Sequence, residues 1–309
     1  MSLAPSVAVP RAQFNWLPLL IALFCLIWSF AFVAGKIGVT DCPPLILLSA
    51  RFLLAGLLIA GISALRGEKF DLTLRDVAAF ALLGVFNNAL YLGLGYTGLK
   101  TVSAGLGGLV VSANPVFTAV LAALFLGEAM NWRKAFGLLL GVAGVTFIVW
   151  HRLSVGTDHA EGIVFTLASL ASIVAGTILY KLLAPKGSLW IGNGIQNLAG
   201  GLALAPFAAT FANIHDVVPS ARLFGAFVFL VLAGSILAYL LWFHLLNVCG
   251  ATAASAWHFL MPPLAMLFAF LVLGEHVELR DLLGIIPVAL GIYLVTRPAA
   301  STSSKRSAT

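Results

Sequence analysis

Two stretches decide the fold: PVFTAVLAALFLGEAMNWRKAFGLLLGVAGVTFIVW at residues 115–150 and PPLAMLFAFLVLGEHVELRDLLGIIPVALGIYLVTR at 262–297. Shifted by 147 residues, Pro115 falls on Pro262, Gly127-Glu128 on Gly274-Glu275, Arg133 on Arg280, Gly137 on Gly284 and Gly144 on Gly291. Nine of 36 positions are identical without a gap. Leucine matches come cheaply in so apolar a chain, but a run of Pro, Gly-Glu, Arg, Gly and Gly in register does not. The chain therefore contains an internal repeat.

The composition says where such a repeat lives. Of 309 residues, 61% are hydrophobic and 9% charged, with a mean hydropathy of +1.07. A soluble domain carries about 25% charged residues. The 17 Lys and Arg and 11 Asp and Glu here cannot cover a soluble surface of this size. The composition excludes a soluble globule, a disordered chain and a collagen-like one, and points to a polytopic membrane protein in a lipid bilayer. The net charge of +6 does not imply nucleic acid, because the basic residues stand singly between apolar runs. Cys25, Cys42 and Cys249 are odd in number and lack ligand spacing, so they read as small apolar residues, with no disulfide framework, metal site or cofactor.

A spanning helix needs about 20 mostly apolar residues. Cutting at charges, Pro and Gly-rich breaks gives ten spans: 16–36, 44–65, 76–98, 102–126, 133–150, 161–183, 188–211, 222–247, 251–273 and 280–296. The stretch 223–274 holds no charged residue and is too long for one span, so it is divided at Asn247-Val248-Cys249-Gly250. The expected fold is all-α and integral to the membrane, with two five-helix repeats at 16–150 and 161–297. A segment at 1–15, a linker at 151–160 and a Ser/Thr-rich tail at 298–309 complete the chain. Residues 1–13 do not read as a signal peptide. Placing the N-terminus inside puts 11 Lys and Arg on the cytoplasmic side and 5 on the other, which favours both termini in the cytosol of a cytoplasmic (inner) membrane protein. With an odd number of spans per unit, the second repeat enters the membrane inverted.

Ala50-Arg51-Phe52-Leu53-Leu54-Ala55, Asn114-Pro115 through Leu126-Gly127-Glu128, and Pro262 through Leu273-Gly274-Glu275 resemble the EamA repeats of the drug/metabolite transporter superfamily. The resemblance covers about 16–297 and implies a ten-helix exporter of small metabolites that hydrolyses no ATP. The superfamily includes amino-acid exporters, among them aromatic amino-acid exporters of the YddG type. The second unit departs from the pattern: Asn197-Leu198-Ala199 stands where the first has Ala-Arg-Phe.

No catalytic constellation is evident. Gly93-Leu94-Gly95-Tyr96-Thr97-Gly98 matches GxGxxG, but at the end of an apolar span, where glycines serve close helix packing. GxxxxGK[ST], HExxH and GxSxG do not occur. An intramembrane enzyme remains the alternative class and requires a nucleophile–base pair or a metal cluster. None of the eleven acidic residues falls mid-membrane in this span assignment, which favours movement down the substrate's own gradient over ion coupling. It also leaves a substrate ammonium to carbonyls, hydroxyls or aromatic faces. Glu128 and Glu275 stand at equivalent helix ends and read as terminus or interface contacts.

Arg51 lies a third of the way into its span; it either attracts a substrate carboxylate or pairs with carbonyls or the nearby Asp41. Lys36 and Lys181 stand at span ends and read as snorkelling. Pro115 and Pro262 interrupt the fourth and ninth spans, removing the donor to the carbonyls of Val111 and His258, as hinges or as packing kinks. Asn88, Tyr91, Leu92 and Gly95 map by the shift onto Ser235, Ala238, Tyr239 and Trp242, each set on one helical stripe. Asn88, Tyr91, Ser235, Tyr239 and Trp242, with Trp28, Trp257 and His258, are the candidate cavity lining, with Asn193 and Gln196 further polar candidates; packing is the competing reading. The expected partner is a small amphipathic metabolite, an amino acid with an apolar or aromatic side chain foremost. A nucleotide sugar would need several buried basic residues and a cationic drug a buried acid, so these are the rival cargoes.

Overall fold

The computed structural model describes residues 16–127, 130–155, 158–249, 254–255, 257–276 and 279–296. Glu128, Gly250, the segment 1–15 and the tail from 297 lie outside them. Every described element is helical. The first unit runs through α1 (Leu17–Asp41), α2 (Pro44–Leu65), α3 (Leu74–Gly84), α4 (Tyr91–Gly98), α5 (Ala104–Val111), α6 (Asn114–Phe125) and α7 (Trp132–Val155). The second runs through α8 (Ala160–Leu183), α9 (Leu189–Phe211), α10 (Ala221–Phe229), α11 (Ala238–Cys249), α12 (Met261–Phe268) and α13 (Leu279–Thr296). Among the described residues six segments are long and apolar enough to cross a bilayer: Leu17–Asp41, Pro44–Leu65, Leu74–Gly98, Ala104–Phe125, Ala160–Leu183 and Ala221–Cys249. The protein is a multi-pass membrane protein.

The helix starts are written in the sequence. Thr73 and Asp76 form a capping box at α3, and Ser103, Ser188 and Ser220 accept backbone N–H bonds at the starts of α5, α9 and α10. Outward faces carry Leu57, Leu139, Trp150, Phe211, Phe224 and Phe270, all exposed, which suits lipid and not water. Since lipid is as apolar as leucine, the helices associate through close packing and polar contacts. Helices that the 147-residue shift equates pack against one another: α2 on α9 and α7 on α13. At the second pair, a Cβ on Gly291 would collide with the carbonyl of Gly137. Leu198, which replaces the arginine in the second unit, packs on Gly56 of α2.

Three features differ from the sequence reading. The fourth span is two helices joined by a tight turn at Ser112-Ala113, where Ala113 N donates to the Val110 carbonyl at 3.1 Å, with Pro115 in the first turn of α6. Likewise Pro262 sits in the first turn of α12, after a 3₁₀ turn at Trp257–Leu260. Each proline thus starts a helix where its missing N–H would be an orphan anyway, instead of kinking a continuous one. Finally, the third and eighth spans carry π-helical segments, Val85–Leu90 and Leu230–Leu237, at repeat-equivalent positions. The regular α-stripe expected through Asn88 and Ser235 is therefore broken.

Candidate functional site

Helices α1, α2, α4 and α11 and the second π segment converge on a space lined by Trp28, Phe32, Arg51, Tyr91, Tyr96, Gly234 and Tyr239, among others. Its cavity is about 30 Å³, room for little more than water.

Arg51 reaches it from α2 and is 2% exposed. Its Nε donates to Ser235 Oγ at 2.8 Å and its Nη1 to the Tyr96 hydroxyl at 2.9 Å. The Phe52 and Tyr96 rings flank the guanidinium, 5.2 and 5.9 Å from ring centre to Cζ. Asp41, the acidic partner considered for Arg51, belongs to another residue. It accepts from Arg222 Nε at 2.7 Å and Arg222 Nη2 at 2.5 Å, and from the Ser220 hydroxyl at 2.5 Å. Among the described residues no carboxylate forms an ion pair with Arg51.

Ser235 joins Arg51 to an amide network. Asn193 Nδ2 donates to the Ser235 carbonyl at 3.1 Å, Asn197 Nδ2 donates to Asn193 Oδ1 at 2.9 Å, and Asn88 Nδ2 donates to Asn197 Oδ1 at 3.3 Å. Asn88 thus turns towards α9 and away from the cavity. Gln196, another candidate, is fully buried with both amide atoms lacking a partner among the described residues. Tyr239 donates its hydroxyl to the carbonyl of Asn87 at 2.7 Å, inside the π segment of the facing span.

The remaining aromatic candidates form one cluster beside the cavity. Trp242 stacks on Phe24 with 5.8 Å between centroids, and the His258 ring stands edge-on to Trp242 at 4.9 Å and to Trp28 at 5.6 Å. Trp28 also touches Tyr239 at 5.6 Å. His258 Nδ1 donates to the Ser255 carbonyl at 3.1 Å. Trp257 is half-buried, and its carbonyl lies 3.5 Å from Cys25 Sγ. So Trp28, Tyr91 and Tyr239 line the space with Arg51, whereas Trp242 and His258 back it.

Sequence reasoning missed Tyr96 and Gly234. Tyr96 was read only within the glycine pattern around it, which does serve packing: a Cβ on Gly98 would lie 2.7 Å from the Gly162 carbonyl on α8. Gly234 gave no signal. A Cβ there would come within 2.8 Å of Arg51 Nη2, so any larger residue would push the guanidinium from its present position. The lysines also differ from expectation. Lys36 Nζ donates to the carbonyls of Leu99 and Val102 at 2.6 and 2.8 Å, and Lys181 Nζ to that of Leu246 at 3.2 Å. Both cap helix ends instead of reaching for water.

Glu275 proves to be a helix-terminus contact. Its carboxylate accepts from Ala104 N at 3.0 Å and Gly105 N at 3.2 Å, at the start of α5 in the other unit. Asp158 Oδ1 accepts from Ser103 N at 2.6 Å alongside. Among the described residues no group of three or more His, Cys, Asp and Glu could hold a metal.

Many apolar helices, two broken spans and a buried cation beside a small cavity are features of membrane transporters. The chain belongs to the EamA-like transporter family, which it matches over residues 15–150 and 160–297. It is 28% identical to an uncharacterized transporter of Archaeoglobus fulgidus, over 90% of this chain and 98% of that protein. It is also 28% identical to the uncharacterized inner membrane transporter YedA of Escherichia coli, over 91% of each. A solved crystal structure shares the fold with a TM-score of 0.66 at 17% identity, covering 91% of this chain and 96% of that one.

Proposed function

We propose that the protein is a secondary exporter of small amphipathic metabolites, amino acids with apolar or aromatic side chains foremost, across the cytoplasmic membrane. The observation that carries this reading is Arg51: a buried guanidinium with no acidic partner among the described residues, facing a cavity walled by Trp28, Tyr91 and Tyr239. An intramembrane charge of this kind is expensive unless it has a use. A carboxylate on the guanidinium and an apolar body on the rings would satisfy both ends of such a substrate.

The cavity of about 30 Å³ is far too small for an amino acid, so in this reading the structure corresponds to a closed form. Access requires rearrangement, and the discontinuities at Ser112-Ala113 and Trp257–Leu260 supply the places where backbone can turn without breaking a continuous helix. In this reading ten spans form two inverted five-helix units with both termini cytosolic. Rocking of the units exposes the site alternately to each side, with Pro115 and Pro262 marking the hinges. The substrate's own gradient drives the movement.

The rival cargoes are less well served: among the described residues Arg51 is a single buried guanidinium, where a nucleotide sugar asks for several, and no acid lines the cavity for a cationic drug. Uptake of a panel of labelled amino acids into proteoliposomes tests the reading. Saturable uptake of phenylalanine, tryptophan or leucine that falls in Arg51→Gln is the expected result. A panel that moves no faster than in empty liposomes would defeat it.

A further inference from the structure

The charge balance of the cavity narrows the substrate further. An arginine offers five N–H donors. Arg51 spends two on Ser235 and Tyr96, and its Nη2 has no acceptor among the described residues. None of the cavity-lining residues is acidic. The buried acids are engaged elsewhere: Asp41 with Arg222, Asp76 with the Thr73 cap, and Asp158 with the backbone of Ser103. Asp71, Glu161 and Asp216 are exposed.

Resting on the transport reading above, and narrowing its cargo from amino acids to their amine-free counterparts, we infer that the site prefers a net monoanion: a carboxylate on an aromatic or apolar body, without an ammonium group. A carboxylate bound to the free edge of the guanidinium leaves the buried site neutral. An amino acid brings the same carboxylate but adds a second cation beside Arg51. That ammonium would meet only tyrosine hydroxyls and ring faces, with no negative group to offset its loss of hydration. Gly234 fits the same purpose, since it keeps Nη2 uncovered. The rings of Trp28, Tyr91 and Tyr239 then take the body of the acid.

The test compares labelled 3-phenylpropionate with L-phenylalanine, which share ring and chain and differ by the amine. The purified full-length chain is reconstituted in liposomes, and leakage into protein-free liposomes is subtracted. At limiting concentration 3-phenylpropionate should enter about tenfold faster, because a missing counter-charge is a strong discriminator. An inside-positive potassium diffusion potential should accelerate its entry and leave phenylalanine unaffected. Arg51→Gln should bring the ratio near one. Gly234→Ala, which retains the charge but crowds Nη2, should lower it by about threefold.

Phenylalanine moving as fast or faster overturns this inference and leaves the transport reading standing. Failure of both compounds to move overturns both. A folded Gly234→Ala and a folded Arg51→Gln with the parent's ratio would also overturn it, since the guanidinium would not be the selecting group.

Discussion

Glu275 offers a contact whose removal can be followed through to a number. It belongs to the second unit, yet it holds the N-terminus of α5 in the first, through Ala104 N at 3.0 Å and Gly105 N at 3.2 Å. Two charge-assisted bonds of about 1.5–3 kcal/mol each, with a helix-dipole contribution of about 0.3–1 kcal/mol, set the gross scale. Glu275 is only half-buried, so water replaces much of this once the contact opens. A net of about 1–2 kcal/mol in favour of the closed face is a reasonable expectation, equivalent to about 5- to 30-fold in population. Met266 packs against Gly105 beneath this contact and is 4% exposed. Cysteine at Met266, in a chain whose three native cysteines are replaced, would report opening through its rate of reaction with a membrane-impermeant maleimide. Glu275→Ala should raise that rate by about 5- to 30-fold, and Glu275→Gln, which keeps one acceptor oxygen, by less. Unchanged rates in both, at equal folded fraction, would refute the idea that this contact holds the face closed.

Three other expectations follow from the site and its helices. Trp242→Ala should destabilise the protein by about 3–5 kcal/mol through loss of packing on Phe24 and His258. Tyr91→Ala should instead lower the ratio of phenylalanine to alanine transport by up to about tenfold; an unchanged ratio per folded molecule removes Tyr91 from the substrate's path. Pro115→Ala and Pro262→Ala should cost less than about 1 kcal/mol, because each proline stands in a first helical turn. They should nonetheless slow transport, and turnover equal to the parent's would show that the breaks are not hinges. Cysteines at Ser2 and Ser304 should react with an impermeant reagent only after permeabilisation, and labelling in intact cells would reverse the proposed orientation.

What was legible in the sequence is what depends on period and composition. Apolar runs bounded by charges, Pro and Gly-rich breaks pointed to the helices, and the break expected at Asn247–Gly250 runs into residues outside those described. The repeat correctly paired the broken spans, because Pro115 and Pro262 are backbone signals readable without neighbours. Arg51 was legible as an expensive residue, but its partners were not. Asp41 is ten positions away in sequence and looked available, yet Arg222, 181 positions from it, claims it. Long-range pairings of this kind carry no local signature. The same holds for Gly234, whose significance exists only because Arg51 points at it from another helix.

The π segments explain why the residues of the candidate stripe do not share one face in the structure. A stripe at i, i+3, i+4 and i+7 assumes about 3.6 residues per turn throughout. Each π turn widens the helix and displaces the following side chains, while loosening the backbone ladder so that carbonyls become available to other groups. Those carbonyls are used here. The Asn87 carbonyl receives the Tyr239 hydroxyl, and the Ser235 carbonyl receives the Asn193 amide. In consequence Tyr91 and Tyr239 still face the cavity, past the irregular turns, whereas Asn88 is carried round to Asn197 on α9 and Ser235 is left beneath Arg51. Because Val85–Leu90 and Leu230–Leu237 are repeat-equivalent, the same distortion is made twice on facing spans. Each of these two spans carries, next to Tyr91 or Tyr239, the turn of helix least committed to a single hydrogen-bond register, which suits the rearrangement proposed above.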